Sequence, residues 1–328
     1  MEVKRFVVAA CAFALLIGAS RHEAHLLPRF TAVIPLPPGY PPPPAPESNP
    51  LTAEKIELGR RLFYDKRLSA NGTQSCGSCH QQRFAFCDGR AHAIGSTGEE
   101  HTLNTMSLVN VAYRTPLTWS NRSVTTLEQQ ALIPLTNEHP VEMGMAGRLD
   151  ELPARLADYA PMFEDAFPGE TISVKNIARA IASFERSIVS ADSPYDRLVH
   201  RGDTRALSAE AWRGLQLFNA RCSGCHGGLD FASGPASTKF RIPTLRNVAL
   251  TSPYLHDGSI ATLKDVIDAY ADGRRAPDVK AFAASPEERR ALVAFLESLT
   301  DESVTTNPRF SDPAPSPLQR QHHLHQLQ

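Results

Sequence analysis

The chain reads as all-α, built as two similar helical domains in tandem. Three observations predict this. A pentapeptide of the form C-x-x-C-H occurs twice, as Cys76-Gly77-Ser78-Cys79-His80 and as Cys222-Ser223-Gly224-Cys225-His226. Each copy follows a helical pattern with the same short phrase, Gly59-x-x-Leu62-Phe63 and Gly214-x-x-Leu217-Phe218. No convincing run of alternating apolar and polar residues argues for strands.

In chain order, residues 1–24 read as an export signal: Lys4 and Arg5, an apolar run from Phe6 to Ile17, then Gly18, Ala19 and Ser20. Cleavage is expected near Ser20 or Ala24, and the run is too short to span a bilayer comfortably. The expected product is therefore periplasmic, with no membrane span. Residues 25–48 are rich in proline and read as a spacer of polyproline character. The first domain is set at 49–200. Thr52 caps its opening helix, with Glu54 in the first turn and Leu58, Leu62 and Phe63 on one face. Ser173 caps a second helix with Ile177, Ile181, Phe184 and Ile188 on one face. The second domain is set at 201–304, opening at Ser208. Thr262-x-x-Asp265 starts a helix to about Ala271, and Ser285-Pro286-Glu287-Glu288 is a capping box with proline at the first position. Leu292, Val293, Phe295, Leu296 and Leu299 form the core face of that helix. Residues 305–328 read as a disordered tail, with His322, His323 and His325 part of it rather than a metal site.

Composition narrows the function. A net charge of -1 over 328 residues gives no reason to expect nucleic acid or an anionic membrane as partner. Of six cysteines, four lie in the two pentapeptides, Cys11 lies in the leader and Cys87 is left over. That excludes a disulfide framework, and Cys87 reads as a small buried residue.

C-x-x-C-H is the attachment signature of a c-type haem. Each cysteine adds across one vinyl group, and the histidine becomes the proximal iron ligand. A zinc or redox C-x-x-C pair explains one copy by chance; two copies behind matching approaches point to two covalent haems. Cys76, Cys79 and His80 hold the first, and Cys222, Cys225 and His226 the second.

The residues from Asn49 to Leu299 resemble the bacterial di-haem cytochrome c peroxidases and their MauG relatives. The carriers are Leu58-Gly59-Arg60-Arg61-Leu62-Phe63-Tyr64-Asp65, the first pentapeptide, Phe86-Cys87-Asp88-Gly89-Arg90 and Leu108-Val109-Asn110-Val111-Ala112-Tyr113. Thr126-Leu127-Glu128-Gln129-Gln130-Ala131-Leu132, Pro140-Val141-Glu142-Met143-Gly144, Ile242-Pro243-Thr244-Leu245-Arg246-Asn247-Val248 and Pro253-Tyr254-Leu255-His256-Asp257-Gly258-Ser259 continue it. Leu117-Thr118-Trp119-Ser120-Asn121 departs from the usual Phe-Trp-Asp-Gly-Arg, and two extra residues stand between Pro134 and Glu142. These departures resemble the MbnH branch, a relative of which converts a partner protein's tryptophan to kynurenine.

The resemblance implies the rest of the site. Tyr270 falls at the distal ligand position of the second iron, with His256 and Tyr254 as alternatives. All five methionines, Met1, Met106, Met143, Met145 and Met162, precede the second pentapeptide, so its domain has no thioether to offer. Glu142 is similar to the family's distal acid–base carboxylate, and Gln130 and Pro134 to residues of the distal pocket. Trp119 resembles the tryptophan between the haems, while Trp212 reads as core. No histidine matches a removable sixth ligand of the first iron, although His92 and His101 lie in the right loop. Asn104, with carbonyls of Thr251 and Pro253, implies one bridging calcium. The implied activity uses hydrogen peroxide to build a high-valent, bis-Fe(IV)-type state that oxidises a partner protein. Two rivals stay open: a peroxidase reducing peroxide with electrons from a small redox protein, and a non-catalytic electron carrier.

Overall fold

A computed structural model describes residues 34–234, 239–274 and 281–313. The signal at 1–24 with Cys11, the opening of the proline-rich segment and His322, His323 and His325 lie outside the described residues. Among the described residues no strand forms; β pairing is confined to isolated bridges such as Gln81 with Cys87 and Tyr254 with Ile260. The chain is helical, as its periodicity predicts.

Each domain is organised on one crossed pair of helices. In the first, α1 (Ala53–Tyr64) lies on α3 (Val174–Ser187), with the short helix α2 (Leu127–Gln130) between them in sequence and also packed on α3. Thr52 and Ser173 cap α1 and α3, accepting from the amides of Lys55 and Asn176. Gly59 stands at the crossing, where a Cβ would fall on the Ala180 carbonyl. One turn on, Phe63 meets Phe184 with ring centroids 5.1 Å apart. The second domain repeats the device. Here α5 (Ala209–Arg221) crosses α7 (Pro286–Glu297), and a Cβ on Gly214 would fall on the Ala291 carbonyl. Phe218 then meets Phe295 at 4.8 Å. The phrase Gly-x-x-Leu-Phe is therefore a packing instruction: a glycine for close approach, and a phenylalanine for the core beneath it. Helix α6 (Leu263–Ala271) packs on α7.

A second repeat escapes a reading by apolar period. Asn110 and Asn247 both take left-handed backbone, with φ of 55° and 56°, and each opens a short 3-10 turn beginning Val-Ala. Asn110 Oδ1 accepts from the Ser190 amide, and Asn247 Nδ2 donates to Ser190 Oγ. The two asparagines thus hold the linker residue Ser190 from either domain. Beside it, the buried guanidinium of Arg246 pairs with both oxygens of Asp196 at 2.9 Å.

Three boundaries move. The proline-rich segment from Ile34 to Ser48 is not a free spacer: Ile34 and Tyr40 are buried, Tyr113 Oη donates to the Pro41 carbonyl and Arg186 Nε to that of Pro44. Prolines lack an N–H but offer carbonyls, so an extended proline run docks where side-chain donors wait. The tail is not free from residue 305. Helix α8 (Glu302–Thr306) leads Phe310 back onto the first domain, where Tyr64 Oη donates to the Phe310 carbonyl at 2.7 Å. Two apolar anchors, Val304 and Phe310, suffice to bury a segment whose composition is otherwise polar. Finally, α4 (Pro194–Arg201) packs Tyr195 on Phe231 and Phe295 of the second core, so in packing the domains part ahead of residue 200.

Candidate active site

Both attachment pentapeptides lie just after or beyond the first helix of their crossed pair. Cys76–Cys79 forms one helical turn with Ser75 and Ser78 closing a capping box. His80 follows, and its Nδ1 donates to the Phe86 carbonyl at 2.9 Å. His226 Nδ1 donates to the Phe231 carbonyl at 3.0 Å. A carbonyl can only accept, so each ring is fixed with Nδ1 protonated and Nε2 bearing the lone pair. Phe86 and Phe231 themselves adopt left-handed backbone, at φ 63° and 55°. Burial depresses both imidazoles below the usual histidine range, which keeps that lone pair available. The four cysteines beside them stand unpaired.

The donor set suits a haem. A further observation agrees: Arg241 is 8% exposed, yet its Nη2 has no partner. A buried guanidinium nitrogen without an acceptor is costly unless an anion joins it, and haem propionates are anions of that kind. Its backbone amide donates to the Trp119 carbonyl at 2.8 Å, so it sits at the domain junction.

Over the first turn lies a small cavity of about 80 Å³. Cys76, Cys79 and His80 share its walls with Gln130, Pro134 and Glu142, so the distal group expected from the sequence comes together. Gln130 ends α2, and Pro134 lies in the helical turn Ile133–Thr136. Glu142 is held by its backbone, whose carbonyl accepts from Ser96 N at 2.7 Å. Its Oε1 accepts from Asn137 Nδ2 at 3.2 Å and lies 3.8 Å from His101 Nε2. Burial raises the Glu142 carboxyl above the usual range, while His101 and the Asn137 amide pull the other way. His101 therefore belongs to the cavity. His92 does not line it; its Nδ1 faces Glu100 at 3.5 Å.

Trp119 is buried, and its Nε1 donates to the Asn104 carbonyl at 2.7 Å. Its ring meets His256 edge-on at 6.5 Å, and His256 stacks on Phe240 at 3.8 Å. Trp119 thus touches both domains. Tyr270, on the last turn of α6, is largely buried; burial raises its phenol, and the Cys225 and Cys222 sulfurs add to the rise. Those neighbours place it beside the second attachment turn. Asn104 donates from its amide nitrogen to the His256 carbonyl at 2.8 Å, and its Nδ2 to the carbonyls of Arg90 and Ala91. Its Oδ1 remains as an acceptor. Trp212 is half-buried on α5, away from the cavity lining.

Sequence reading missed Glu185. It lies on α3 one turn after Ile181, and both line the cavity. The available signal was a charge set into an apolar stripe. Asn137 and Arg241 gave no comparable signal.

Two histidine-anchored attachment turns, one opening on an acid–base cavity, define a c-type cytochrome with two haems. The model for di-haem cytochrome c peroxidases matches residues 53–205, and that for cytochrome c matches 211–300. The methylamine utilization protein MauG of Methylophilus methylotrophus is 36% identical over 288 residues, 78% of this chain and 85% of its own. The cytochrome c551 peroxidase of Pseudomonas aeruginosa is 31% identical over 285 residues, 76% of this chain and 80% of its own. The crystal structure of a MauG-like protein associated with microbial copper homeostasis superposes with TM-score 0.77 at 38% identity, covering 85% of this chain and 98% of that one. The chain belongs to the di-haem cytochrome c peroxidase and MauG family. It is a di-haem oxidoreductase acting on peroxide. Among the described residues no helix is long and apolar enough to cross a membrane.

Proposed function

We propose that this oxidoreductase draws two oxidising equivalents from hydrogen peroxide at the first haem, shares them with the second, and spends them on a tryptophan side chain of a partner protein. The observation that carries this reading is Tyr270 beside Cys222 and Cys225, in a domain with no methionine. A soft thioether on the second iron would favour the ferrous state that a small redox protein feeds; a hard phenolate favours ferric and higher states. The relative of known structure at 38% identity, MauG-like and associated with microbial copper homeostasis, supports the same branch.

The haems supply the redox chemistry; the chain's residues manage protons and access. Glu142 takes the proton from the inner peroxide oxygen and returns it to the outer one. The hydrogen bond donated by Asn137 Nδ2 at 3.2 Å, with His101 Nε2 3.8 Å away, keeps that carboxylate aimed into the cavity. With His101 beside Glu142 rather than on the iron, the first haem would keep a position open to peroxide. Gln130 and Pro134 shape that face. Trp119, in contact with both domains, would be the residue that relays oxidising equivalents between bound haems. The substrate is oxidised at the surface and need not enter a pocket. Asn104 Oδ1 with the Thr251 and Pro253 carbonyls would hold one calcium ion, which would brace the junction. Its support is the Asn104 amide bonded to the loop that follows Pro253. The protein works in the periplasm, consistent with the signal read at residues 1–24.

The test is to co-express candidate partner proteins, add peroxide to the purified pair, and look for an oxidised tryptophan by mass spectrometry. An unmodified partner, together with rapid turnover of peroxide by a reduced small cytochrome, would favour the peroxidase reading instead.

A further inference from the structure

Glu185 is 4% exposed, and its Oε2 has no hydrogen-bond partner. It lines the cavity over the first attachment turn, close enough for its charge to act on the Cys76 sulfur. The mechanism above gives it no part. A buried carboxyl with one oxygen unpaired, beside a cysteine of the haem-attachment turn, is poised to change its proton with the charge beside it.

We propose that Glu185 is the proton acceptor coupled to electron transfer at the first haem. When the ferric iron takes one electron from a reduced small redox protein, the Glu185 carboxylate takes one proton from solvent and becomes a neutral acid. When the electron leaves, the O–H bond breaks and the proton returns to solvent, so charge in the cavity is unchanged at each step.

The surroundings fit this role. Burial lifts the Glu185 carboxyl to about 8; Arg186 opposes the rise and Glu128 adds to it. Those two are bound to each other, with Arg186 Nη1 and Nη2 on the Glu128 oxygens at 2.7 and 2.8 Å. Neither is therefore free to neutralise Glu185. From α1, the ring of Tyr64 packs on neighbouring Phe184, and its hydroxyl is committed to the Phe310 carbonyl. Tyr113, on the 3-10 turn against α3, is committed to Pro41. Across the cavity stand Glu142, His101 and Glu99. The sign follows. The carboxyl is neutral below its raised value and anionic above it, and an anion beside the iron favours the ferric state.

The experiment is a spectroelectrochemical titration of the full di-haem protein, without peroxide, at pH values spanning the range about 6 to 9. One of the two haem waves should fall as pH rises, by up to about 59 mV per unit for a one-proton, one-electron couple. Glu185→Gln should flatten that wave, Glu185→Asp should keep a slope displaced along the pH axis, and Glu142→Gln should leave the slope in place. A flat wild-type wave, an unchanged slope in Glu185→Gln, or a slope lost in Glu142→Gln overturns the proposal. If the glutamine variant fails to load haem, an aspartate variant with the wild-type profile overturns it equally. The proposal rests on the first haem lying in this cavity, not on what the enzyme oxidises. Flat potentials with an intact peroxide reaction would sink it alone.

Discussion

The two haem domains are the same machine on one side and different on the other. Both cross their helices at a glycine, set a phenylalanine pair beneath it, and hold the histidine ring by a left-handed phenylalanine carbonyl. Around the attachment turns they part. The first domain opens on a cavity with Glu142, His101 and Gln130; the second brings up the phenol of Tyr270. The hold on the histidine is thus a scaffold property, whereas the groups gathered beside each attachment turn are set by whichever loop or helix reaches over. The most severe way to break the comparison is to remove the second sulfur pair. Cys222→Ala with Cys225→Ala should abolish covalent attachment of one haem and leave the other, read as a loss of one haem mass on the intact chain. Loss of both would show that the halves do not load independently.

The next tests set one distal side against the other. Glu142→Gln should slow the reaction with peroxide by about 10²–10⁴-fold, measured by stopped-flow absorbance, and leave the second haem's resting spectrum alone. In the wild type the rate should rise with pH through a value above the usual carboxylate range. Burial raises that carboxyl, and only its ionised form takes the peroxide proton. The glutamine variant should lose that rise. Tyr270→Phe should do the reverse. The rate of peroxide consumption should change by less than about tenfold, but the oxidised two-haem state should decay much faster and the second haem's resting spectrum should change. A Tyr270→Phe variant with an unchanged resting spectrum would remove the phenol from the iron.

How much of this is legible in the sequence depends on how locally each feature is encoded. Attachment is written in five consecutive residues, and the helix pairs in caps and period, so both read directly. The distal cavity draws on Gln130, Pro134, Glu142, His101 and Glu185, which no local pattern joins; resemblance found the first three and left His92 and His101 undecided. Geometry separates those two, because His101 meets Glu142 while His92 turns to Glu100. Asn110 and Asn247 were visible only as separate motifs, since their shared job depends on Ser190 between them. The docked proline segment and the returning Phe310 are not legible from composition, which reports average polarity, not two or three well-placed anchors.

The gentlest test asks whether the shared half is equally demanding in both domains. At Gly59 and Gly214 an added methyl meets a backbone carbonyl, which cannot rotate away as a side chain would. Overpacking of that kind typically destabilises by about 1–3 kcal/mol. Gly59→Ala and Gly214→Ala should therefore each lower the unfolding midpoint while keeping both haems attached. The consequences should differ in place. Behind Gly59 stand Phe63 and then His80, whose ring centroids are 6.5 Å apart, so a shifted α1 moves the first iron's own ligand beneath the acid–base cavity. The Gly59 variant should slow the peroxide reaction, and the Gly214 variant should leave that rate near wild type. Equal slowing in both would mean that strain in the shared scaffold reaches the first cavity through the domain junction as readily as through its own helix.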